Sequence, residues 1–155
     1  MVEKLTRADP SGVIADGMLS KDASNTLLPI RVVKKALSWA LGTGNGSLFN
    51  WQNPEDVEVL ATVLIRVSTA GTGTAGVDIG VAANATASSD NLLDGALVNT
   101  VDYVKGIGSL DLGTNGRAFF LMDEKGGAND YIVGKAVDVD ATAAGQAYII
   151  YIPVS

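Results

Sequence analysis

The stretch that decides the fold is residues 51–95, WQNPEDVEVLATVLIRVSTAGTGTAGVDIGVAANATASSDNLLDG. In its first half, every second residue from 57 to 67 is Val, Ala or Ile, and Val77, Ile79 and Val81 repeat this spacing in the second half. A period of two places each set on one face of a β-strand. Small, turn-prone residues occupy positions 68–76 between the two sets. The stretch therefore predicts a β-hairpin with one apolar face, on which later segments pack.

The composition fits a single domain with a real core and few charges on its surface. The chain has 155 residues, of which 47% are hydrophobic and 18% are charged. Globular domains usually contain about 25% charged residues. A chain with so few charges often covers part of its surface with partners, so the composition favours self-association.

The charge is unevenly distributed along the chain. Residues 1–46 contain six basic and four acidic side chains, a net charge of +2, whereas the remainder contains five basic and thirteen acidic side chains, a net charge of −8. Contacts with nucleic-acid phosphates require Lys and Arg. The acidic body therefore argues against a nucleic-acid partner.

The absence of cysteine and histidine removes several kinds of chemistry. Without these residues, the chain has no disulfides, no usual zinc ligands and no histidine-based acid–base or triad catalysis. No segment resembles a signal peptide or reaches the roughly 18 apolar residues of a membrane span. We expect a non-enzymatic protein of intracellular origin, without cofactor or membrane partner; a virion component assembled in the host cytoplasm fits this description.

The first 46 residues are predicted to form a separate N-terminal region, followed by a β-domain over residues 47–155. Residues 1–29 show no lasting periodicity and predict an extended arm. The arm is too apolar for a purely solvated tail, which indicates that it contacts a partner such as a neighbouring subunit. The apolar residues expected to make that contact are Val13, Ile14, Met18, Leu19, Leu27 and Leu28.

Residues 30–41, IRVVKKALSWAL, predict a short amphipathic helix after Pro29, because proline is tolerated in the first turn of a helix. Apolar residues fall on one side of this helix, and Arg31, Lys34 and Lys35 fall on the other. Such a basic face can suit an acidic partner or a membrane surface, but we favour a surface helix that packs on its own domain. The glycine-rich residues 42–47 predict the linker that follows.

The remaining strands predict an all-β architecture. Strand patterns occur at residues 96–104, 117–122, 130–137 and 146–154. Six or more strands with turn signals every 8–15 residues are typical of an antiparallel β-sandwich, and we expect a jelly-roll-like one. The predicted fold is therefore an all-β, jelly-roll-like sandwich with an N-terminal extended arm and one short helix.

Three further patterns invite functional interpretation. The glycines of residues 71–76 match G-x-G-x-x-G, but a strand follows them where a dinucleotide site needs a helix. Asp138 and Asp140 share a strand face and are weak calcium candidates, and we favour outward-facing, solvated carboxylates instead. Trp39 and Trp51 suit either ligand stacking or anchoring to the core, and we favour anchoring.

Residues 51–95 resemble a family of small proteins encoded among the head genes of tailed phages and prophages. The resemblance covers about two-thirds of the chain and excludes residues 1–41. Its motifs are Trp51-Gln52-Asn53-Pro54, the valine-rich strand 57–67, Val77-Asp78-Ile79-Gly80, the run ANATASSDNLLDG at 83–95, Gly113-Thr114-Asn115-Gly116, and Val133-Gly134-Lys135-Ala136 with Tyr148.

The resemblance implies a virion structural protein, namely an auxiliary, decoration or cement protein of a bacteriophage capsid. It implies a jelly-roll-like body that is often a homotrimer, with the major capsid protein as its partner on the capsid surface, and no catalytic residues. A different hypothesis is a carbohydrate- or receptor-binding jelly-roll module of a phage tail or fibre. An enzyme is disfavoured because the chain has no nucleophile or phosphate-binding motif.

Overall fold

A computed structural model of the chain describes most of residues 18–154 and all three sheets. The described residues are 18–21, 27–37, 39, 44–72, 75–104, 113–138 and 142–154. Strands are the regular elements among them, and no α-helix occurs there. Consistently, no helix in the described part is long and apolar enough to cross a membrane.

Eleven strands make up the described fold, and every pairing between them is antiparallel. The strands are β1 (Met18–Lys21), β2 (Leu27–Pro29), β3 (Arg31–Leu37), β4 (Phe49–Gln52), β5 (Val59–Thr69), β6 (Gly76–Ala82), β7 (Leu93–Leu97), β8 (Asp102–Val104), β9 (Phe120–Met122), β10 (Tyr131–Ala136) and β11 (Ala144–Pro153).

The larger sheet has five strands, ordered β3-β11-β5-β8, and β9 also pairs with β5. β11 lies between β3 and β5 and pairs with β5 along its whole length. The other edge of β5 is shared, because β9 pairs with its first residues and β8 with its later ones.

The smaller sheet has four strands in the order β4-β10-β6-β7. Gly134 of β10 pairs with both Phe49 of β4 and Ile79 of β6. The Phe49 ring occupies the space above Gly134, where an added Cβ would lie 2.6 Å from Phe49 Cε1. A glycine is required at this position because the neighbouring aromatic ring takes the place of a side chain.

The core lies between the two sheets and confirms the predicted antiparallel β-sandwich. The alternate residues of β5 that predicted a strand are 0–2% exposed from Val59 to Val67, and Val77, Ile79 and Val81 of β6 are 0–4% exposed. The two sets therefore face one another across one continuous apolar layer. The jelly-roll description stays a prediction.

The predicted helix over residues 30–41 is wrong, because residues 31–37 form β3, an edge strand of the five-stranded sheet. Val33 and Leu37 lie on the inner side of the strand, whereas Val32, Lys34 and Ala36 are exposed. A three-turn helix gains little stability on its own. Pairing with β11 along seven residues, helped by the β-branched Val32 and Val33, outweighs the local helical pattern.

The predicted hairpin between residues 57–67 and 77–81 is also wrong. Both segments form strands, but β5 belongs to the five-stranded sheet and β6 to the four-stranded sheet. The connection between them therefore crosses from one sheet to the other. Two strands with strongly apolar faces bury more surface when these faces meet across a core than when they lie side by side.

The predicted single strand over residues 96–104 is in fact parts of two strands, which lie in different sheets. β7 pairs with β6 in the four-stranded sheet, and β8 pairs with β5 in the five-stranded sheet. Later strand predictions are confirmed, with β9, β10 and β11 inside or overlapping the predicted ranges. Gly76–Ala82 is a strand, which confirms that the glycines of residues 71–76 lead into a strand, whereas a dinucleotide site needs a helix there.

Two strands of the predicted arm form a small sheet of their own. β1 and β2 pair with Met18 opposite Pro29 and Lys21 opposite Leu27. This pair shares no ladder with either main sheet. The division at residue 46 stays a prediction, although β3, which precedes it, pairs with β11 of the β-domain.

Candidate interaction surfaces

The five-stranded sheet has an apolar outer side, which we call the outer face. Opposite the core, the pairing register aligns three rows of side chains across β3, β11, β5 and β9. The rows are Lys34–Tyr148–Leu64, Val32–Ile150–Thr62 and Ile152–Leu60–Leu121, with Ala36, Gln146 and Arg66 forming a fourth row at one end. Eight of these twelve side chains are aliphatic or aromatic.

The outer face is only partly covered by its own side chains. Val32 is 59% exposed and Leu121 is 49% exposed, at opposite sides of the face. Between them, Ile150 is half-buried and Thr62 is 2% exposed. Antiparallel sheets usually direct polar residues to solvent on the side away from the core. A contiguous apolar surface of this kind indicates a contact site.

The outer side of the four-stranded sheet differs because the chain's own loops cover it. At Gly80 an added Cβ would lie 2.2 Å from Ser89 Oγ, so the loop after β6 packs directly on this side of the sheet. The Asn91 side chain fastens the loop there: its Oδ1 accepts from Val81 N at 2.8 Å, and its Nδ2 donates to Val81 O at 3.3 Å. Asn91 therefore fastens this loop to the backbone of β6.

A second group of polar contacts joins the motifs of the phage-family resemblance. Asn115 donates its backbone N–H to Asp94 Oδ2 and its side-chain Nδ2 to Asp90 Oδ2, both at 3.1 Å. Asp78 accepts from Gly95 N at 2.8 Å and pairs with Lys135 at 3.3 Å. Each of these carboxylates has a partner within the chain, so this cluster holds loops to the sheet.

The Asn-Pro motif at residues 53–54 belongs to a buried group of hydrogen bonds centred on Asn53, which we call the clamp. Asn53 is 0% exposed, and its Nδ2 donates to Asp123 O at 2.9 Å. Its backbone N–H donates to Asp130 O at 2.7 Å. The buried Asp130 carboxylate in turn accepts from Gln52 Nε2 and Gly126 N. The clamp ties the end of β4 to the turn before β10 and has a structural role.

The predicted partner-binding residues fall in three places. Val13 and Ile14 lie outside the described residues, Met18 and Leu19 are on β1, and Leu27 and Leu28 are on β2. Arg31, Lys34 and Lys35 lie on β3, where Lys34 is exposed on the outer face and Lys35 is half-buried on the opposite side. Their role in binding a partner stays a prediction.

Arg31 is engaged within the chain. Its Nη1 donates to Glu55 Oε1, and the hydroxyl of Tyr151 donates to the same oxygen at 3.2 Å. Tyr151 is buried, and its ring packs at 5.0 Å between centroids from Trp51. Burial raises the pKa of the Tyr151 hydroxyl above its ordinary value of 10.0. The group links β3, β11 and the segment after β4, and it consists of intramolecular contacts.

Calcium binding by Asp138 and Asp140 stays a prediction. Asp138 is exposed just after β10, and Asp140 lies outside the described residues. Within the described part of the chain, no three acidic side chains are placed to hold a metal ion. Trp39 and Trp51 are 1% and 7% exposed, which confirms that both anchor to the core.

The outer face was missed from sequence, although a signal for it was present. The alternation in residues 57–67 drew attention to the buried set, but the intervening Leu60, Thr62 and Leu64 are also uncharged. Likewise, both Ile150 and Ile152 are apolar in β11, next to the buried Ile149 and Tyr151. Strands that are apolar on both sides indicate that the sheet is covered on both sides.

The fold and its surfaces define an antiparallel β-sandwich with one side covered by its own loops and one apolar side. No protein-family model matches the chain, and no curated protein matches it in sequence. Among solved structures, the fold is similar to that of a chain in the cyanophage Pam1 capsid asymmetric unit, with 14% sequence identity and a TM-score of 0.51. The match covers 94% of this chain and 99% of that chain. At this identity the likeness shows the fold alone.

Proposed function

We propose that the chain is a non-enzymatic structural component of a phage virion. The observation that carries this proposal is the likeness to a chain of the cyanophage Pam1 capsid asymmetric unit, which extends over 94% of one chain and 99% of the other. The likeness is therefore not confined to one part of the fold. The motif resemblance in residues 51–95 supports the same class of protein.

More narrowly, the protein acts as a decoration or cement protein on the capsid surface. It binds the major capsid protein after assembly in the host cytoplasm and stabilises the head. Such a role requires contact surfaces rather than chemistry, and the exposed apolar residues and low charge of this chain suit it. A homotrimer would present several copies of the contact surface at once, which raises avidity without new contacts.

The test is reconstitution with heads that lack the protein. Purified protein is mixed with such heads, and bound protein is quantified after sedimentation while the melting of the heads is followed by calorimetry. We expect saturable, stoichiometric binding and a higher melting temperature, because a ligand that binds only the assembled state stabilises it. Folded protein that leaves both the pellet and the melting curve unchanged would refute the proposal.

Two variants locate the contact in the same experiment. A chain that begins at Pro29 lacks the predicted contact residues of the arm but keeps β3, which the five-stranded sheet requires. We expect it to remain folded by circular dichroism and to lose head binding. Normal binding by this variant would show that the arm is not the contact.

The second variant tests the basic residues of β3. Lys34→Glu reverses an exposed charge on the outer face, and Lys125→Glu makes the same change at an exposed position in the turn before β10. Loss of complementary charge mainly slows association, so we expect weaker binding for Lys34→Glu at low salt and none of this effect for Lys125→Glu. Equal binding by the two variants would exclude a role for the Lys34 charge.

Binding to a glycan array is the outcome that would favour a carbohydrate- or receptor-binding module. Sugar sites usually present exposed aromatic rings, and Phe119 is the one exposed aromatic among the side chains that the structure describes. We therefore expect no glycan to bind.

A further inference from the structure

The chain contains two asparagines that are followed by glycine, Asn45 before Gly46 and Asn115 before Gly116. Asparagine is chemically labile, and a following glycine favours the loss of its amide as ammonia. The reason is that glycine has no side chain to hinder the attack of its own backbone nitrogen on the asparagine side chain. Both asparagines are exposed in the structure. The two pairs differ in their hydrogen bonds, and this difference separates them chemically.

Asn45 lies in a tight turn that leaves the reacting groups free. Ser47 donates its backbone N–H to Gly44 O at 3.0 Å, so Asn45 and Gly46 are the two central residues of the turn. Among the residues that the structure describes, neither the Asn45 side chain nor the Gly46 N–H has a hydrogen-bond partner. No bond must therefore break before the Gly46 nitrogen approaches Cγ of Asn45.

The structure also explains why position 46 is a glycine. Gly46 has a φ of +72°, a conformation that residues with side chains rarely adopt. An added Cβ would lie 2.0 Å from Ala85 O, so the neighbouring loop excludes a side chain as well. The fold therefore requires, directly after Asn45, the residue that makes an asparagine most reactive.

Asn115 is held by two carboxylates. Its backbone N–H donates to Asp94 Oδ2 and its side-chain Nδ2 donates to Asp90 Oδ2, both at 3.1 Å. Hydrogen bonds to charged groups are stronger than those between neutral groups. The Asn115 side chain must leave Asp90 before it can be attacked. The nearby negative charges also oppose the loss of a proton from the backbone nitrogen that attacks.

We propose that Asn45 is a site of spontaneous deamidation in the folded protein and that Asn115 is protected. The Gly46 nitrogen loses its proton to solvent and bonds to Cγ of Asn45, and the side-chain nitrogen leaves as ammonia. Water then opens the cyclic imide at either carbonyl and leaves aspartate or its β-linked isomer. Each event consumes one water, releases one ammonia and adds one negative charge. The proposal concerns the isolated chain and does not depend on a role in the virion.

The test compares the two sites within one sample. Folded protein and protein unfolded in guanidinium chloride are kept in mildly alkaline buffer at body temperature. Trypsin then releases the two sites in separate peptides, since Arg66 and Lys105 lie between Asn45 and Asn115. Mass spectrometry measures the conversion of each amide to an acid, and electron-transfer fragmentation distinguishes the β-linked product from aspartate.

We expect the two sites to convert at similar rates in the unfolded chain, where both asparagines are solvated. In the folded protein, Asn115 should convert about tenfold more slowly than Asn45, because a hydrogen bond to a charged group must break first. Equal rates at the two sites of the folded protein would refute the proposal. So would an Asn45 that stays intact in the folded protein during the time in which the unfolded chain converts.

Two variants test the cause of the protection. Asp90→Ala removes the acceptor of the Asn115 side chain and should speed conversion at Asn115 several-fold, with no change at Asn45. Asp90→Asn keeps the size of the side chain and removes its charge, so it gives the same test if the alanine variant loses the circular dichroism of the fold. An unchanged rate at Asn115 in a folded variant would overturn the assignment of its protection to Asp90.

A control confirms the modified position. Asn45→Gln places the amide one carbon further from the attacking nitrogen and should abolish the acidic form that ion-exchange chromatography resolves from the aged wild type. An acidic form that persists in Asn45→Gln at the wild-type rate would place the modification elsewhere and refute the proposal.

Discussion

Replacing Asn53 by alanine removes the centre of the clamp between β4 and the turn before β10. The Asn53 side chain makes three hydrogen bonds: Nδ2 donates to Val57 O at 3.1 Å and to Asp123 O at 2.9 Å, and Oδ1 accepts from Glu55 N at 3.0 Å. Asn53 is fully buried, so water cannot replace it without rearrangement. At about 1 kcal/mol for each bond, Asn53→Ala should lower the free energy of unfolding by about 3 kcal/mol.

The assay is urea denaturation followed by tryptophan fluorescence, with thermal melting as a second measurement. For a chain of this size, such a loss corresponds to a fall in melting temperature of about 6–12 °C. The matched control is Asn84→Ala, since Asn84 accepts from Thr86 N at 3.0 Å in a similar local turn but is exposed. We expect the control substitution to lower the free energy of unfolding by no more than about 0.5 kcal/mol. If the two variants were equally stable, the burial of Asn53 would not be the source of its contribution.

Two further predictions concern a buried hydroxyl and a glycine. Burial, reinforced by the Glu55 charge, raises the pKa of Tyr151 above 10.0. The unfolded chain therefore loses this proton first, and the stability present below about pH 10 falls as the pH rises above it. Between about pH 8 and 11, the free energy of unfolding measured by urea denaturation should fall less in Tyr151→Phe than in the wild type. An equal fall in the two proteins would contradict the assignment. Gly134→Ala places a Cβ 2.6 Å from Phe49 Cε1 and should cost about 1–3 kcal/mol. In the control Gly76→Ala, the Cβ meets its nearest atom at 3.4 Å, and a similar loss in both variants would exclude the Phe49 contact as the cause.

The contrast between the two outer sides bears on the proposed function. Loops fastened by Asn91 and Asn115 cover the four-stranded sheet, so the chain itself occupies the outer side of this sheet. The five-stranded sheet leaves Val32 and Leu121 exposed. The proposed contact of Lys34 with the capsid would involve this side of the molecule.

The sequence predicted the positions of strands better than their partners. β5 and β6 were expected because their period-two patterns are long and strongly apolar. Their placement in different sheets depends on β10 and β11, which come more than 45 residues later in the chain and pair with β6 and β5. Local periodicity carries no information about such distant partners, and the hairpin prediction failed for that reason.

The local pattern of residues 30–41 also failed to predict which side of the sheet each basic residue occupies. The apolar arm and the basic residues Arg31, Lys34 and Lys35 were expected to contact a partner. The basic residues were assigned to one face of a helix. In the strand, Arg31 pairs with Glu55, whereas Lys34 and Lys35 point to opposite sides of the sheet. Residues that neighbour one another on a helix are separated by the pleat of a strand.

The sequence by itself determined the all-β class, the strands β5, β6, β10 and β11, the buried role of both tryptophans, and the absence of cysteine and histidine chemistry. These properties follow from composition and from patterns only a few residues long. The tertiary structure alone decided that residues 31–37 are a strand, that residues 51–95 cross between two sheets, and that one outer side is apolar and only partly covered. Those features depend on which distant strands pair and which loops fold back, and both are set by burial over the whole chain.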